Sequence, residues 1–475
     1  MTPALLVSAA HKSSGKTTVS LALAAALAAR GQVVQPFKKG PDYIDPMWLT
    51  LAAGRPCINL DPQLMGWDQI AEVFGQRLRG AGIGLVEGNK GLHDGLALDG
   101  SNSNAALARR LGLPVLLVLD TRGMTRGIAP LILGYQAFDP SIRIGGVILN
   151  QVGGPRHEGK LRAVVEHYTD VPVLGAVPKD ARLALDERHL GLMPERELGD
   201  APQRVRAMGD LIAGCVDMER VRDLATSRRH EDVLEPVADA DLRPATEPLR
   251  IGIARDKAFC FYYPDDLDAL VAEGTELVPF DTLADRRLPP ALDGVFIGGG
   301  FPELFMAELE ANASLRSSLQ RAIVEGLPVY AECGGLMYLA RSITWKGHRA
   351  QMVGAIPGDV VMHARPVGRG YVRVEETAEF PWQNADHEPM IRHGHEFHHS
   401  SLENLDPSVS FAYRVQRGHG IDGLQDGVMV HNVLASYLHL RHTGGNDWPK
   451  RFVAHLRRIR DEARAARAPR LRIQG

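Results

Sequence analysis

The sequence predicts an α/β protein with at least two domains built on parallel sheets. Its 475 residues exceed the roughly 250–300 residues at which a single hydrophobic core stops growing. Short apolar runs of strand length alternate with helical segments on both sides of one long polar stretch, as in consecutive β–α–β units. A composition of 45% hydrophobic and 23% charged residues is typical of globular proteins and excludes a wholly disordered chain.

In chain order, the first domain is expected over residues 1–224. Its predicted strands are residues 4–8, 33–37, 83–87, 115–120 and 145–149. A polar, proline-containing stretch over residues 225–249 predicts a linker. The second domain is expected over residues 250–450, with predicted strands at 250–254, 276–280, 294–297 and 328–331. An arginine-rich tail over residues 451–475 predicts a solvated helix.

Charge and hydropathy exclude several classes of protein. The 54 basic and 57 acidic side chains give a formal net charge of −3, whereas sequence-independent nucleic-acid binders need a basic excess. The longest apolar stretch, residues 19–29, is about half of the ~20 residues that span a bilayer. Residues 1–10 lack the pattern of a signal peptide, and four scattered cysteines suit neither a disulfide framework nor a CxxC metal site. A cytoplasmic protein with reduced thiols is expected. The oligomeric state stays open, with a homodimer among the alternatives.

A strand, a polar loop and a helical run follow one another at the N-terminus: residues 4–8, AHKSSGKT over residues 10–17, and residues 19–29. This is the phosphate-binding P-loop pattern with alanine in place of the first glycine. Backbone N–H groups of the loop would face nucleotide phosphates, Lys16 would reach the β and γ oxygens, and Thr17 would ligate Mg²⁺. The residues expected to bind ATP here are Ser14, Gly15, Lys16, Thr17 and Thr18.

Charged side chains follow the second and third predicted strands as well. Lys38, Asp42 and Asp45 come after the second strand, and Glu87 and Asp94 come at and after the third. Because ligands bind beyond the carboxyl ends of parallel strands, we expect these side chains to meet the P-loop. Turn formation is the alternative for any one loop, but three consecutive strands with such ends favour an ATP–Mg²⁺ site.

A second candidate site surrounds Cys333. The sequence AECGG places this thiol where an apolar strand breaks into a helix, as in a nucleophile elbow. A free thiol is mostly protonated at neutral pH and needs a basic neighbour, and His439 at the end of another apolar segment is the candidate. The alternative is a cysteine that only packs, which is our interpretation of the other three. The glycines expected to form an oxyanion hole are Gly299, Gly300 and Gly334.

A histidine cluster has the density of a metal site: His393, His395, His398 and His399. No carboxylate or cysteine partner stands at helical spacing from it, and histidines with a period of two also line strands. We therefore expect packing or substrate contact from these side chains.

Together, the two candidate sites predict one reaction. A carboxylate resists attack by an amine because its oxygen is a poor leaving group, and phosphorylation by ATP removes that obstacle. A thiol can release ammonia from glutamine through a thioester. The combination would convert a carboxylate into a carboxamide.

Several stretches, in the same order along nearly the whole chain, resemble the cobyrinate a,c-diamide synthase family: VQPFKKGPDYIDP, EG with GLHDG, ERHLGL, IARDKAFCFYYPDDLD, GGGFPE, AECGGLMYL and GHEFHHS. The resemblance implies an N-terminal ATP-binding domain similar to dethiobiotin synthetase and a C-terminal class I glutamine amidotransferase domain. It implies ATP- and glutamine-dependent amidation of the a and c carboxylates of cobyrinate in cobalamin biosynthesis. The substrates would be a tetrapyrrole, L-glutamine and ATP, with Mg²⁺ as cofactor.

The resemblance also implies roles for individual residues. Cys333 would be the nucleophile, and His439 would raise its reactivity. The ATP–Mg²⁺ site would contain Lys16, Thr17, Lys38, Asp45 and Glu87, and its metal ligands would be Thr17, Asp45 and Glu87. The residues that handle the substrate carboxylate would be Asp42, Tyr43, Ile44 and Asp94. Asn150, at the end of GGVILN, resembles the adenine-reading asparagine of dethiobiotin synthetases.

Departures of this sequence from the family pattern, and one hypothesis from another class of protein, leave alternatives open. Class I amidotransferases ordinarily carry a glutamate two residues after the histidine, but Arg441 stands there, and the resemblance implies a Cys–His dyad instead. GNKGLHDG over residues 88–95 and SNSNAALA over residues 101–108 are similar to relatives that amidate an acetate of sirohaem. An alternative from another class is a partition-type ATP switch with an inactive glutaminase module. Those proteins carry a lysine five residues before the P-loop lysine, where this chain has His11.

Overall fold

The computed structural model describes residues 2–185, 187–188, 191–228, 247–382 and 390–467. The chain divides into two compact units, Met1–Ala238 and Asp239–Gly475. Most of the predicted linker (229–246), the end of the predicted tail (468–475) and the side chains of residues 186–191 within the ERHLGL motif lie outside the described residues. In the described part of the chain, every helix is too short or too polar to span a bilayer.

The first unit contains alternating strands and helices. Its strands are β1 (Ala4–Ala9), β2 (Val34–Lys39), β3 (Ile58–Leu60), β4 (Ile83–Glu87), β5 (Val115–Asp120), β6 (Ile144–Val152), β7 (Val173–Pro178), β8 (Glu187–Arg188) and β9 (Gly191–Leu192). Its α-helices are α1 (Lys16–Ala29), α2 (Ile44–Ala53), α3 (Trp67–Leu78), α4 (Asn104–Arg110), α5 (Ile128–Phe138), α6 (Pro155–Tyr168), α7 (Ala201–Cys215) and α8 (Met218–Thr226). Short 3₁₀ turns span Ala181–Leu183 and Glu195–Glu197.

The main sheet of the first unit is parallel, with strand order β3-β2-β4-β1-β5-β6-β7. The five predicted strands are all present, whereas short β3 and the Gly- and Pro-containing β7 lack the apolar run that would predict them. Strands β2, β4 and β1 are neighbours, and Lys38 of β2 pairs in register with Glu87 of β4. This order brings the carboxyl ends of the three predicted site strands together.

Helix α1 is buried because its sequence is apolar on every face. It begins at Lys16, three residues before the predicted apolar run, since its first turn is polar. Its alanines allow close packing: a side chain at Gly209 of α7 would meet Ala25 and Ala26 at 3.0–3.3 Å. The helix that follows the P-loop is therefore fixed on both sides, by the sheet and by α7.

The second unit contains β10 (Leu249–Ala254), β11 (Phe259–Phe261), β12 (Thr275–Phe280), β13 (Gly294–Ile297), β14 (Gly299–Gly300), β15 (Val329–Glu332), β16 (Ala340–Trp345), β17 (His348–Gln351), β18 (Ile356–Met362), β19 (Gly368–Glu376), β20 (Ile391–His398), β21 (Ser400–Glu403), β22 (Ser410–Arg417), β23 (Gln425–Val430) and β24 (Val433–Ser436). Its helices are α9 (Pro264–Ala272), α10 (Met306–Ala311), α11 (Ala313–Val324), α12 (Gly334–Leu339) and α13 (Trp448–Arg467), with a 3₁₀ turn at Pro302–Phe305.

The large sheet of this unit is mixed rather than parallel. Its order is β12-β10-β13-β15-β24-β23-β22-β19-β20, parallel from β12 to β24 and antiparallel beyond. A smaller sheet has the order β17-β16-β18-β21. The later strands alternate buried and exposed residues, as β19 does, which is the pattern of antiparallel strands with one solvated face. The expectation of parallel units throughout is wrong for this part.

Helix α13 is only partly solvated. It begins at Trp448, inside the predicted second domain, and Trp448, Phe452 and Leu456 are buried in the core. This spacing of four residues forms an apolar stripe on one helix face. Buried Arg451 forms an ion pair with Glu376. The solvated tail predicted over residues 451–475 therefore starts too early, because its arginines conceal the stripe.

Candidate active sites

The P-loop connects β1 to α1 through a strained backbone. Ser13 and Gly15 adopt left-handed conformations, with φ of 65° and 83°. A Cβ atom at Gly15 would lie 2.0 Å from Asn150 Nδ2, so only glycine fits there. The first turn of α1 follows directly, and its N–H groups have no partner within the helix. The loop thus has the conformation that phosphate binding requires.

Two residues that were predicted to bind ATP, Ser14 and Asn150, form hydrogen bonds that stabilise the P-loop. The Asn150 Nδ2 amide donates to the Ser14 carbonyl at 2.9 Å, and Asn150 is 4% exposed. The Ser14 hydroxyl donates to the carbonyl of His11 at 2.8 Å. Thr18 is half-buried in the first turn of α1. The structure places all three at the loop, and an adenine contact by Asn150 stays a prediction.

Five predicted residues converge beside the P-loop. The Thr17 hydroxyl lies 2.6 Å from Glu87 Oε1 and 3.3 Å from Asp45 Oδ2. Lys38 Nζ lies 2.9 Å from Glu87 Oε1 and also contacts Asp45 Oδ2. Lys16 Nζ lies 3.5 Å from Glu87 Oε1. The structure therefore brings together side chains from the ends of β1, β2 and β4, as the sequence predicts.

Burial and charge act against each other in this cluster. Burial lowers the pKa of Lys16, and the opposing carboxylate of Glu87 does not restore it. At Lys38 burial also lowers the pKa, but Asp45 and Glu87 outweigh it and hold the pKa well above its usual value. Burial would raise the pKa of Asp45, yet the ammonium of Lys38 lowers it. Lys38 and Asp45 are therefore both charged at neutral pH.

The oxygen atoms around Glu87 fit a divalent cation. Glu87 Oε2 is buried and has no hydrogen-bond partner among the described residues, a costly state unless a ligand binds it. Two carboxylates and a hydroxyl are the hard oxygen donors that Mg²⁺ prefers. Thr17, Asp45 and Glu87 stay the predicted metal ligands.

The predicted substrate residues after β2 lie at the start of α2. Asp42 Oδ1 accepts the N–H groups of Ile44 and Asp45 at 2.9 and 3.1 Å and so caps the helix. Burial, with the nearby carboxylate of Asp45, raises the pKa of Asp42 to about 6. Tyr43 and Ile44 are 9% and 8% exposed. These residues border the charged cluster, but little side-chain surface of Tyr43 and Ile44 is open to a substrate.

Asp94 lies on the exposed loop after β4. Its Oδ2 accepts the Gly91 N–H at 2.9 Å, and a Cβ at Gly91 would lie 2.5 Å from the carbonyl oxygen of Ala10 in the P-loop. The loop that carries Asp94 therefore packs directly on the P-loop. Of the four predicted substrate residues, Asp94 has the most open position.

Sequence reasoning missed two residues that organise this region. Buried Asn104 donates to the carbonyls of Asn89 and Gly91 at 2.5 and 2.8 Å and thereby fixes the Asp94 loop. Lys39 donates to Asn89 Oδ1 at 3.1 Å, and burial lowers its pKa to about 8. The SNSN stretch contains Asn104, but its letters do not indicate which loop this side chain contacts. Lys39 follows Lys38 and has no separate signal.

In the second unit, Cys333 occupies the predicted elbow between β15 and α12. Its φ is 47°, and it is 7% exposed. A Cβ at Gly334 would lie 2.9 Å from the backbone nitrogen of Gly300, and one at Gly299 would lie 2.7 Å from His439 Cε1. The three glycines predicted for the oxyanion hole thus surround the thiol and the imidazole.

His439 follows β24, which is parallel to β15. The Cys333 N–H donates to the Ser436 carbonyl at 2.7 Å and fixes the two strand ends together. His439 is hydrogen bonded to Cys333, and its Nδ1 lies 3.3 Å from Glu332 Oε2. Burial would lower the pKa of His439, but the contacts with Cys333 and Glu332 raise it to about 10. The structure therefore places a cationic imidazole beside the thiol.

Glu332 is a further residue that sequence reasoning missed. The expected dyad has this carboxylate as a third partner, supplied by the residue before the cysteine. Arg441, which stands where a glutamate is usual, forms an ion pair with Asp265 at 2.8 Å and lies over the ring of Tyr263. The Glu332 side chain was part of the AECGG motif, but its contact depends on strand register.

Two members of the histidine cluster, His395 and His398, pack around the segment that carries His439, whereas His393 is exposed. The rings of His395 and His439 are stacked, with centroids 4.9 Å apart, and their backbones exchange hydrogen bonds of 2.8 and 3.3 Å. The His398 ring is stacked on Tyr437 at 3.7 Å. These contacts are the packing role expected for the cluster.

The fold and the two sites define a glutamine amidotransferase that carries its own P-loop nucleotide-binding domain. Residues 250–447 match the model of the CobB/CobQ-like glutamine amidotransferase domain. Residues 6–192 match the model of the CobQ/CobB/MinD/ParA nucleotide binding domain. The predicted fold class is confirmed. The exact domain boundaries stay predictions.

The chain belongs to the cobyrinate a,c-diamide synthase family. A protein of Magnetococcus marinus named cobyrinate a,c-diamide synthase is 45% identical, over 96% of this chain and 98% of that protein. Proteins of the same name from Methanosarcina acetivorans and Dehalococcoides mccartyi are 42% and 40% identical, over 98% and 95% of this chain and 97% of each protein. The predicted family is confirmed.

Proposed function

We propose that this protein amidates the a and c carboxylates of cobyrinate, using ATP and glutamine-derived ammonia. The observation that carries the proposal is the presence, in one chain, of a buried thiol–imidazole pair and of a P-loop beside two carboxylates. Cys333 is hydrogen bonded to a buried His439, and the P-loop faces the Thr17–Glu87 cluster. Full-length relatives named for this activity support the choice of substrate.

In the glutaminase step, the thiolate of Cys333 attacks the carboxamide carbon of glutamine. The C–N bond breaks as His439 donates a proton to the leaving nitrogen, so ammonia departs and a thioester remains. The developing oxyanion would be stabilised by backbone N–H groups of Gly299, Gly300 or Gly334. Water then hydrolyses the thioester, which releases glutamate and restores the thiol.

In the ligase step, a carboxylate oxygen of the tetrapyrrole attacks the γ-phosphorus of ATP, and ADP leaves. The acyl phosphate is then attacked by ammonia at its carbonyl carbon, and inorganic phosphate leaves as the amide forms. Lys16 and Lys38 lie where they would offset phosphate charge. Thr17, Asp45 and Glu87 would hold Mg²⁺, which when bound neutralises charge on the phosphate oxygens.

A second candidate is the same reaction on an acetate side chain of sirohaem. One observation favours it, and it concerns the stretches that differ from the usual corrinoid pattern, 88–95 and 101–108. The first contains the loop after β4, and the second contains the start of α4, whose Asn104 fixes that loop beside the P-loop. This loop carries the predicted substrate residue Asp94. Its altered sequence therefore bears on which tetrapyrrole is bound. The hydrogen bond between Cys333 and His439 favours an active glutaminase over a partition-type switch with an inactive glutaminase module.

The test is the variant Cys333→Ser. Glutamine-dependent amidation should fall by a factor of about 10³ or more, because the hydroxyl is a far weaker nucleophile. Ammonia-dependent amidation should remain, since the acyl phosphate forms without the thiol. Both rates are measured as amide product by mass spectrometry, with Cys215→Ser as the matched control at a half-buried thiol elsewhere. Loss of the ammonia-dependent rate in a folded Cys333→Ser protein would contradict the proposal.

Four cysteines are free thiols in the described structure. We propose a reducing, cytoplasmic location for the enzyme, in agreement with its use of ATP and glutamine.

A further inference from the structure

We infer that Glu332 is a positioning residue that holds His439 as an imidazolium and thereby keeps Cys333 in its thiolate form. The inference concerns the reactivity of the thiol, which can be measured without glutamine or a tetrapyrrole. It therefore stands or falls separately from the proposed substrate.

The contacts of Glu332 define its partner. The residue is 3% exposed. Its Oε1 accepts the Tyr330 hydroxyl at 2.6 Å and the Leu440 N–H at 3.0 Å, while Oε2 lies 3.3 Å from His439 Nδ1. A buried carboxylate needs a cationic or hydrogen-bonding partner for each oxygen. At Oε2 that partner is the imidazole.

Chain connectivity explains why the carboxylate reaches this position. Glu332 is the last residue of β15, and it pairs in register with Ser436 of β24, three residues before His439. The positive φ of Cys333 then turns the chain sharply after Glu332. The elbow thus delivers both the nucleophile and the carboxylate to one imidazole.

Neither His395 nor Arg441, which lie near the His439 imidazole, can supply the negative charge that Glu332 supplies. His395 of β20 is stacked on His439, and burial together with His439 and Arg441 holds its pKa well below the usual value, so it is neutral. Arg441 is paired with Asp265. The remaining titratable groups that face Glu332 or Cys333 are Tyr330 of β15, Tyr262, Asp266 of α9, Tyr413 of β22 and Tyr437.

The sign of the effect follows from the geometry. Glu332 contacts the imidazole directly, so its charge favours the thiolate–imidazolium pair over the neutral thiol and imidazole. With glutamine at position 332, the proton would return from the imidazolium to the sulfur. The thiolate would then form only at more alkaline pH.

The experiment is alkylation of Cys333 by iodoacetamide in the full chain, followed across pH by peptide mass spectrometry. The wild-type thiol should react rapidly at pH 7. Glu332→Gln should react about tenfold more slowly there and move half-maximal alkylation about one pH unit or more toward alkaline pH. Tyr330→Phe is the matched control, because it removes a hydrogen bond to the same carboxylate but keeps its charge. Glu332→Asp, which keeps the charge at a greater distance, should fall between.

An unchanged alkylation profile in Glu332→Gln would overturn the inference, provided that circular dichroism and thermal unfolding show the variant to be folded. If Glu332→Gln does not fold, the pH dependence of alkylation in the wild-type protein tests the inference. A wild-type thiol that becomes reactive only near the ordinary cysteine range of about pH 8.5 would also overturn it. Failure of cobyrinate to react would leave these measurements unaffected.

Discussion

At the residue scale, Glu87 contacts three other side chains beside the P-loop. One of its oxygens contacts Thr17, Lys16 and Lys38, and the other is buried without a partner among the described residues. A carboxylate in this position both neutralises lysine charge and offers a ligand to Mg²⁺.

Glu87→Gln should therefore lower both glutamine- and ammonia-dependent amidation, by about 10²-fold, because the amide cannot replace an anionic metal ligand. Thr17→Ala should lower both by about tenfold through loss of one neutral oxygen donor. ADP formation measured with ammonia as nitrogen donor checks both values.

The control for these variants is Asp210→Asn at an exposed position of α7, which removes a carboxylate from the same unit. It should leave ADP formation unchanged. If ADP formation by Glu87→Gln depends on Mg²⁺ concentration as it does in the wild type, Glu87 is not a metal ligand.

Residues whose role follows from a local motif were predictable. Lys16 and Thr17 belong to a P-loop, and Cys333 belongs to a strand–helix elbow. The residues adjacent to them in the sequence are therefore enough to identify them. Glu332 and Asn104 were not, since their roles depend on contacts with His439 and with the Asp94 loop that only strand order and register create. Asn150 was identified, but its contact with Ser14 was not.

At the element scale, one buried carboxylate fixes the segment that carries His439. Asp426 of β23 is fully buried and accepts the N–H groups of Tyr437 and Leu438 at 3.1 and 3.0 Å, and that of Gly427 at 2.8 Å. These bonds hold the chain just before the imidazole of His439.

Asp426→Asn would place an amide donor opposite one of those N–H donors. Displacement of a catalytic group by about 1 Å can cost about 10²-fold, so we expect glutamine-dependent turnover to fall ten- to a hundredfold. Ammonia-dependent turnover should not change. The ratio of the two rates, measured in one preparation, checks the effect.

The same carboxyl gives the second unit a dependence of stability on pH. Burial raises the pKa of Asp426 from 3.8 to about 7. Between about pH 4 and pH 7 the folded chain binds a proton there that the unfolded chain does not, so this contribution to stability falls as pH rises. Its full size is up to about 4 kcal/mol.

Calorimetry at pH 5 and pH 7.5 should show a smaller difference in Tm for Asp426→Asn than for the wild type. Asp461→Asn, at an exposed position on α13, should keep the wild-type difference. An equal difference in all three proteins would exclude Asp426 as the source.

Elements were predictable where the pattern of one segment decides the structure. The buried parallel strands are continuous apolar runs, so their predicted ends differ from the structure by at most three residues, as for β6. The antiparallel strands from β16 onward depend on pairing with distant segments and were not predicted. The stripe of α13 was concealed by seven arginines and lysines among its 20 residues.

At the scale of the whole molecule, two chemistries share one chain, and the ligase unit decides the product. The glutaminase unit supplies the same ammonia whatever the acceptor. Specificity for the acceptor is therefore expected from the residues around the P-loop, in particular from Asp94 on its exposed loop.

A panel of tetrapyrroles tests this division. With cobyrinate we expect two amides formed in succession, each replacing a hydroxyl by an amino group, and each accompanied by one ADP and one glutamate. Sirohaem should give at most a minor product if cobyrinate is the substrate, and a single amide as the main product if the altered loop selects it. Mass spectrometry of the tetrapyrrole distinguishes these results.

The variant Asp94→Asn is assayed with the same tetrapyrroles as the wild type. Because Asp94 is predicted to handle the acceptor carboxylate and is distant in sequence from the thiol elbow, the variant should change the KM for the tetrapyrrole. Alkylation of Cys333 by iodoacetamide should stay at the wild-type rate. A variant with altered thiol reactivity and an unchanged KM would contradict the assignment of acceptor specificity to this loop. Consumption of ATP and glutamine without any carboxamide, for both tetrapyrroles, would contradict the proposed reaction itself.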